Sequence, residues 1–245
     1  MNITLEPNGY SLDLFLSKEE LNIFRTFISS QWFERIKFNY PIQASHIKEN
    51  KIDISNYHKI AECINHSNLW TKSSRILNKD FFSWFQNSIF YSNLLSSFGS
   101  FEISDEENLG WPNVYWRLVR PRETADIGPI HRDSWFWQLN QSFPKPNYNF
   151  RRIKVWIAIY CEKGLNGLLV EPYSQNSTDI SWKGELRHGI QKPVLLTDDA
   201  KINPILVESS PGGSIIFHDN LLHGGAVNKG STTRVSVEFT LLVRI

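Results

Sequence analysis

The chain has little of what marks several large classes of protein. It holds two cysteines in 245 residues, Cys63 and Cys161, far apart and in no CxxC or Cys/His cluster. That excludes a disulfide framework and a thiolate zinc site, and both cysteines are expected as small buried hydrophobes. An excess of one charge is missing too. Lys plus Arg number 26 against 25 Asp plus Glu, a formal net charge of +1, so nothing in the charge favours a nucleic acid or an anionic membrane as partner. No apolar run approaches the ~20 residues that a membrane span needs. The opening "MNITLEPNGYSLDLFL" has no basic segment followed by a continuous apolar one. A cytoplasmic protein with neither a nucleic-acid nor a membrane partner is expected, and binding has to be sought in a site.

Hydrophobic residues at 41%, with 13% aromatic, are enough to build a core. The first hundred residues read as helical. "SKEELNIFRTFISSQWF" places Ser17 and Glu20 in capping-box spacing, then Leu21, Phe24, Phe27 and Ile28 on one stripe. Asp80 is expected to cap a second helix over "FFSWFQNSIFYSNLLSSFG", with Phe81, Phe85 and Ile89 recurring on one face and Gly99 ending it. The stretch between them, "SNYHKIAECINHSNLWTKSSRIL", is expected to be partly helical.

From residue 111 the texture changes to short β-branched and aromatic runs separated by turn residues: "NVYWRLVRP", "RIKVWIAIY", "GLLVEPY", "PILVES", "GGSIIFHD" and "TRVSVEFTLLVRI". No repeat, low-complexity tract or linker interrupts the chain. One domain over 1–245 is expected, with 1–110 as helical support for a β core over 111–245. In the last run Val235, Val237, Phe239, Leu241 and Val243 share one face, and Arg234, Ser236, Glu238 and Thr240 share the other. The apolar face is expected under the helices and the polar face in a wet cavity, as in a barrel mouth or jelly roll.

The stretch "GPIHRDSWFWQLN" holds His131 and Asp133 two positions apart, on one face if the segment is extended. Both reach one metal ion in that case. "PGGSIIFHDNLLHGGAVNKGSTTRVSVEF" offers His218 and His223 as a third ligand. Two His and one carboxylate form the facial triad that suits non-heme Fe(II) and leaves coordination positions open. If the strand continues, Trp135 and Trp137 also lie on the metal side as a substrate wall, Phe136 turns to the core, and the alternative is three ordinary core or loop rings.

An H-x-D, a distant His in "LLHGG", an Arg eleven residues on and a Ser two further together resemble the Fe(II)/2-oxoglutarate dioxygenases, and among them the phytanoyl-CoA dioxygenase-like family. The resemblance covers roughly residues 111 to 245. It implies a mainly β fold, a cupin-like double-stranded β-helix packed against N-terminal helices. It matches His131, Asp133 and His223 to the iron ligands, and Arg234 with Ser236 to the pair that holds the distal carboxylate of 2-oxoglutarate; Arg117 and Trp156 lie on strands expected near that co-substrate. "NGLLVEPYSQ" resembles the family turn that ends Pro-Gly-Ser-His, with Tyr173 and Gln175 in place of the Gly and the His. The resemblance implies use of O2, release of succinate and CO2, and hydroxylation of an unactivated C–H in a small molecule. The carboxylate of Asp133 speaks against the halide-binding relatives.

His218 competes with His223 for the metal but fits a turn or a supporting position better. His46, His58, His66 and His188 have no partner motif and are read as structural or exposed. Arg151, Arg152 and Lys154 read as a solvated edge, with an anionic substrate as the other use. "HRD" also occurs in protein kinases, but Gln138 stands at the Asn position and the Gly-rich loop, V-A-I-K and D-F-G are missing. Two rivals to an oxygenase stay open: a jelly-roll metal-dependent hydrolase or isomerase, and a non-catalytic binding module. Neither needs a dicarboxylate anchor at Arg234.

Overall fold

The structure is a computed structural model that describes residues 3–139, 150–187, 190–196 and 201–244. Helix α1 (Lys18–Asn39) begins where the capping-box spacing puts it. Glu20 N–H donates to Ser17 Oγ at 3.1 Å, and Ser17 N–H donates back to Glu20 Oε2 at 2.8 Å. The other Glu20 oxygen accepts from Phe90 N–H at 2.8 Å, so the cap also ties two helices together. Leu21, Phe24, Ile28, Trp32 and Ile36 are its buried stripe, with Phe27 packed at the margin.

After α2 (Pro41–Glu49) the chain runs through 3₁₀ turns at Ile54–Lys59 and Ala61–Cys63, the single turn α3 (His66–Leu69) and another 3₁₀ turn at Ser73–Arg75. The second long helix expected from sequence is two: α4 (Lys79–Phe85) and α5 (Ile89–Phe98). Asn78, not Asp80, caps α4, and Ser88 caps α5 by accepting from Tyr91 N–H at 3.0 Å. A Ser with this preference for the cap position restarts the helix and turns Ile89 out to 67% exposure, while Phe81 and Phe85 stay buried. Gly99 ends α5 at φ +72°, as expected. Cys63 is exposed and Cys161 half-buried, so neither is the fully buried hydrophobe that the composition suggested.

Eleven strands are described: β1 (Tyr10–Ser11), β2 (Phe101–Ile103), β3 (Tyr115–Val119), β4 (Phe150–Tyr160), β5 (Leu168–Val170), β6 (Trp182–Arg187), β7 (Ile190–Leu195), β8 (Ile205–Val207), β9 (Ser214–His218), β10 (His223–Gly225) and β11 (Arg234–Arg244). The large antiparallel sheet runs β1-β9-β4-β11-β2, with β3 also on β11; the small sheet runs β10-β5-β8. Every apolar run singled out from sequence is one of these strands. The two strands within the first 110 residues, the β6–β7 hairpin and the short β10 have no counterpart among those runs.

The large sheet has two different faces. Ile153, Val155, Ile157, Ile216 and the odd residues of β11 from Val235 to Val243 join Phe24, Ile28, Phe85 and Leu94 of the helices in one core. On the other face Trp156, Ala158, Ile215 and Phe217 pack with Leu168, Val170 and Val207 of the small sheet. This is the double-stranded β-helix, or jelly roll, packed against helices. Among the described residues no helix is long and apolar enough to cross a membrane.

Candidate metal centre and its cavity

His131 and His223 are brought together by backbone pairing. His131 N–H donates to His223 O and His223 N–H donates to His131 O, both at 2.9 Å. Their rings then stand side by side, 4.5 Å between centroids. Each ring is oriented in the same way: His131 Nδ1 is 2.8 Å from Pro129 O, and His223 Nδ1 is 2.9 Å from Leu221 O. A carbonyl only accepts, so Nδ1 carries the proton and Nε2 presents a lone pair. The close pass of the chain over β10 requires glycine, because a Cβ on Gly224 would meet Ile130 Cα and N at 3.2 Å.

Asp133 completes the group. The segment is not an extended strand after His131, as the sequence suggested, but the start of a short helix, α6 (Asp133–Leu139). One helical turn still delivers the carboxylate: Oδ1 is 3.5 Å from His131 Nε2, and Oδ2 is 3.7 Å from His223 Nε2. Ligand atoms of all three residues lie within 4.8 Å of one another, close enough to hold one metal ion. His218 lies outside this group and contacts Glu6 Oε1 at 3.1 Å.

Because residues 133–139 are helical, the aromatics fall elsewhere than a continuing strand would put them. Trp135 is buried and stacks on Trp182 of β6, centroids 5.1 Å apart and planes 11° apart. Trp137 lies under Arg152, 4.2 Å from its guanidinium carbon. Phe136 is the ring that meets His131, edge-on at 5.3 Å. Helical spacing, not strand alternation, decides which ring reaches the metal group.

The triad lines a cavity with about 600 Å³ of empty space, part of it open solvent, along with Arg117, Lys154, Trp156, Phe217, Arg234 and Glu238. The polar face of β11 therefore looks where its alternation said. Arg234 is 3% exposed, gives one hydrogen bond to Gly167 O and lies 5.8 Å from the centre of the Trp156 ring. Burial pushes its pKa down to about 10. Ser236 is fully buried beside it.

Arg117 spends two donors, Nε and Nη2, on Glu238 Oε1 at 2.9 and 2.6 Å. Burial raises the Glu238 pKa, but Arg117 and Lys154 outweigh it and bring it down to about 2. Burial pushes His223 down to about 4. Burial also works against ionised Asp133, yet Lys154, His223 and His131 hold its carboxyl well below the usual range.

Lys154 corrects the solvated-edge reading of Arg151, Arg152 and Lys154. Arg151 is exposed, but Lys154 is 8% exposed and its Nζ lies 3.6 Å from Asp133 Oδ2. Arg152 turns the same way, stacked on Trp137 and 3.9 Å from Asp219. The signal was present in the sequence, since Lys154 shares the parity of Trp156 on β4. His66 is structural, as expected, with Nε2 3.4 Å from Asp126 and Nδ1 3.2 Å from Tyr57 Oη. His46 is exposed and His58 half-buried; His188 lies outside the described residues.

The turn after β5 explains its two departures. Tyr173 has φ +67°, the left-handed region where the family turn carries glycine. Ser174 Oγ accepts from Leu222 N–H at 2.8 Å and so braces the residue before His223. Gln175 donates instead to Pro7 O at 2.9 Å and Glu6 Oε2 at 3.2 Å.

A jelly roll whose inner wall gathers two histidines and one aspartate around a cavity has the form of a metal-binding, cupin-like fold. The phytanoyl-CoA dioxygenase (PhyH) family model matches residues 29–236, and the chain belongs to that family. No curated protein matches the sequence. Solved structures of similar fold include the non-heme alpha-ketoglutarate-dependent carbocyclase SnoK from nogalamycin biosynthesis, at 11% identity and TM-score 0.55 over 98% of this chain and 81% of that one. EvdO2 from Micromonospora carbonacea var. aurantiaca aligns at 10% identity and TM-score 0.59 over 98% and 88%. EctD from S. alaskensis, solved with 2-oxoglutarate and 5-hydroxyectoine, aligns at 12% identity and TM-score 0.57 over 98% and 73%.

Proposed function

We propose that this protein is an Fe(II)- and 2-oxoglutarate-dependent oxygenase that hydroxylates an unactivated C–H bond of a small molecule. The observation that carries the reading is one cavity lined by both a His131–Asp133–His223 group and a buried arginine, Arg234, with donors to spare. Bound Fe(II) and 2-oxoglutarate supply the oxidising chemistry: O2 is consumed, the co-substrate leaves as succinate and CO2, and one oxygen atom enters the substrate. The chain acts in this reading as one unit, with the helices supporting the sheet that carries the site.

The residues fit those groups. Arg234 Nε and Ser236 Oγ are buried and find no hydrogen-bond partner among the described residues, an arrangement that costs free energy unless a ligand satisfies them. His131 and His223 offer Nε2 lone pairs fixed by their Nδ1 hydrogen bonds, and Asp133 adds the hard oxygen ligand. Arg234 presents a planar fork to the distal carboxylate of 2-oxoglutarate, and Ser236 adds a hydroxyl donor. Trp156 forms a wall of that end, and Arg117 stands near it on β3. Buried surroundings strengthen the charge pairing and keep bulk water from the co-substrate.

The same cavity also carries Arg117, Lys154 and Glu238, and so polar a lining favours a small polar molecule over a long aliphatic chain. Trp135 and Trp137 shape the site through α6 and its packing rather than as direct walls.

The test is metal uptake and turnover without substrate. Purified protein is expected to take up one Fe(II) per chain and to form succinate from 2-oxoglutarate slowly, and His131→Ala or Asp133→Ala is expected to abolish stoichiometric uptake. Full uptake with unchanged affinity in either variant removes the ligand set. Metal uptake without succinate favours the hydrolase or isomerase rival.

A further inference from the structure

Lys154 is a buried cation that the reaction outlined above does not use. Lysine is rarely buried without a partner, because removing an ammonium from water is costly. Its Nζ enters the cavity from β4, in the register row of Phe217 and Thr240, across from the first residue of α6. There it lies 3.6 Å from Asp133 Oδ2, a buried oxygen with no hydrogen bond among the described residues. The other Asp133 oxygen, Oδ1, faces His131 Nε2 at 3.5 Å.

We propose that Lys154 is a positioning residue that engages Oδ2 of Asp133, so that the carboxylate gives the metal one oxygen rather than two. This rests on the oxygenase reading. A metal held by two His and one oxygen of Asp133 would keep more coordination positions free for exogenous ligands than one held by both oxygens. Supporting groups of this kind orient metal ligands, and their loss typically costs about 10–100-fold in metal affinity or activity.

Two other roles fit Lys154 less well. As a nucleophile it would have to turn away from Asp133 Oδ2, which its Nζ faces at 3.6 Å. As a charge alone it would repel the metal ion, and removing it would tighten binding. Positioning makes the opposite prediction, which separates the two.

The experiment titrates wild type, Lys154→Met and Lys154→Arg with Co(II) under anaerobic conditions without 2-oxoglutarate, below the melting temperature of each apo protein. Lys154→Met is expected to bind Co(II) at least tenfold more weakly than wild type and to change the visible Co(II) absorption, which reports coordination number. Lys154→Arg keeps a donor and a charge, so it is expected to restore the wild-type spectrum and most of the affinity. Unchanged or tighter binding by Lys154→Met, with an unchanged spectrum, overturns the proposal. So does a Lys154→Arg variant that binds like Lys154→Met. If Lys154→Met does not fold, Lys154→Gln takes its place with the same expectations. Stoichiometric binding by wild type is the control for the oxygenase reading, and its failure removes that reading and this inference together.

Discussion

The two faces of β11 divide the molecule's work. Val235, Val237, Phe239, Leu241 and Val243 are buried among the helices, whereas Arg234 and Glu238, one residue out of phase, line the cavity. The helix-facing side holds the fold together through apolar area. The cavity-facing side carries buried polar atoms that a fold optimised for stability alone would lack. Most of the stabilising area and the candidate site are therefore divided along one strand, residue by residue.

Phe239→Ala should produce the largest loss of stability. The ring is fully buried and meets Phe85 edge-on at 5.5 Å, so deleting it is expected to cost about 3–5 kcal/mol in denaturant unfolding. Metal affinity of the folded fraction should stay unchanged. A small stability loss joined to a large loss of metal affinity would erase the division between the faces.

Arg234→Ala should do the reverse. Apparent 2-oxoglutarate affinity is expected to fall at least tenfold, about 1.4 kcal/mol or more, with Fe(II) uptake retained. Arg234→Lys should recover only part of it, since an ammonium lacks the planar fork. Succinate formation without substrate reads this out, and an unchanged apparent affinity removes the co-substrate assignment.

Glu238→Gln sharpens the comparison through pH. The folded carboxyl titrates at about 2, below its ordinary value of about 4.3. Its pairing with Arg117 therefore stabilises the fold above that ordinary value and is lost as pH falls toward 2. Because the Arg117 side chain is 41% exposed, solvent screening holds the contribution to about 1 kcal/mol. Unfolding curves at pH 7 and pH 3 should show wild type losing more stability than Glu238→Gln. Equal losses would place Glu238 outside the pair.

The smallest effect belongs to the helical cover. Ser17→Ala removes the cap of α1 and is expected to cost about 1 kcal/mol, with 2-oxoglutarate affinity unchanged.

Much of this division was legible in the sequence because it rests on simple periods. Strand alternation placed both faces of β11, the Ser17–Glu20 spacing placed the start of α1, and the H-x-D with a distant histidine picked out the three residues that the fold brings together. What was missed depended on competition between local signals. Asn78 outcompeted Asp80 as a cap, and Ser88 broke one expected helix into two. An extended course through residues 131–137 was only one possibility in the sequence, and the helix forms where α6 packs on the β6–β7 hairpin through Trp135 and Trp182, a partner far away in sequence. Lys154 looked like an edge charge beside Arg151 and Arg152, although its parity with Trp156 already put it on the cavity face; that Asp133 is its partner there comes only from the tertiary fold.

The most direct test is an anaerobic titration of the Fe(II) protein with 2-oxoglutarate, followed by visible absorption. The account predicts a charge-transfer band that saturates at one equivalent, and an Arg234→Ala protein that needs at least tenfold more 2-oxoglutarate to reach it. A wild-type protein that binds Fe(II) yet shows no band at saturating 2-oxoglutarate contradicts the account and leaves the metal site to another chemistry.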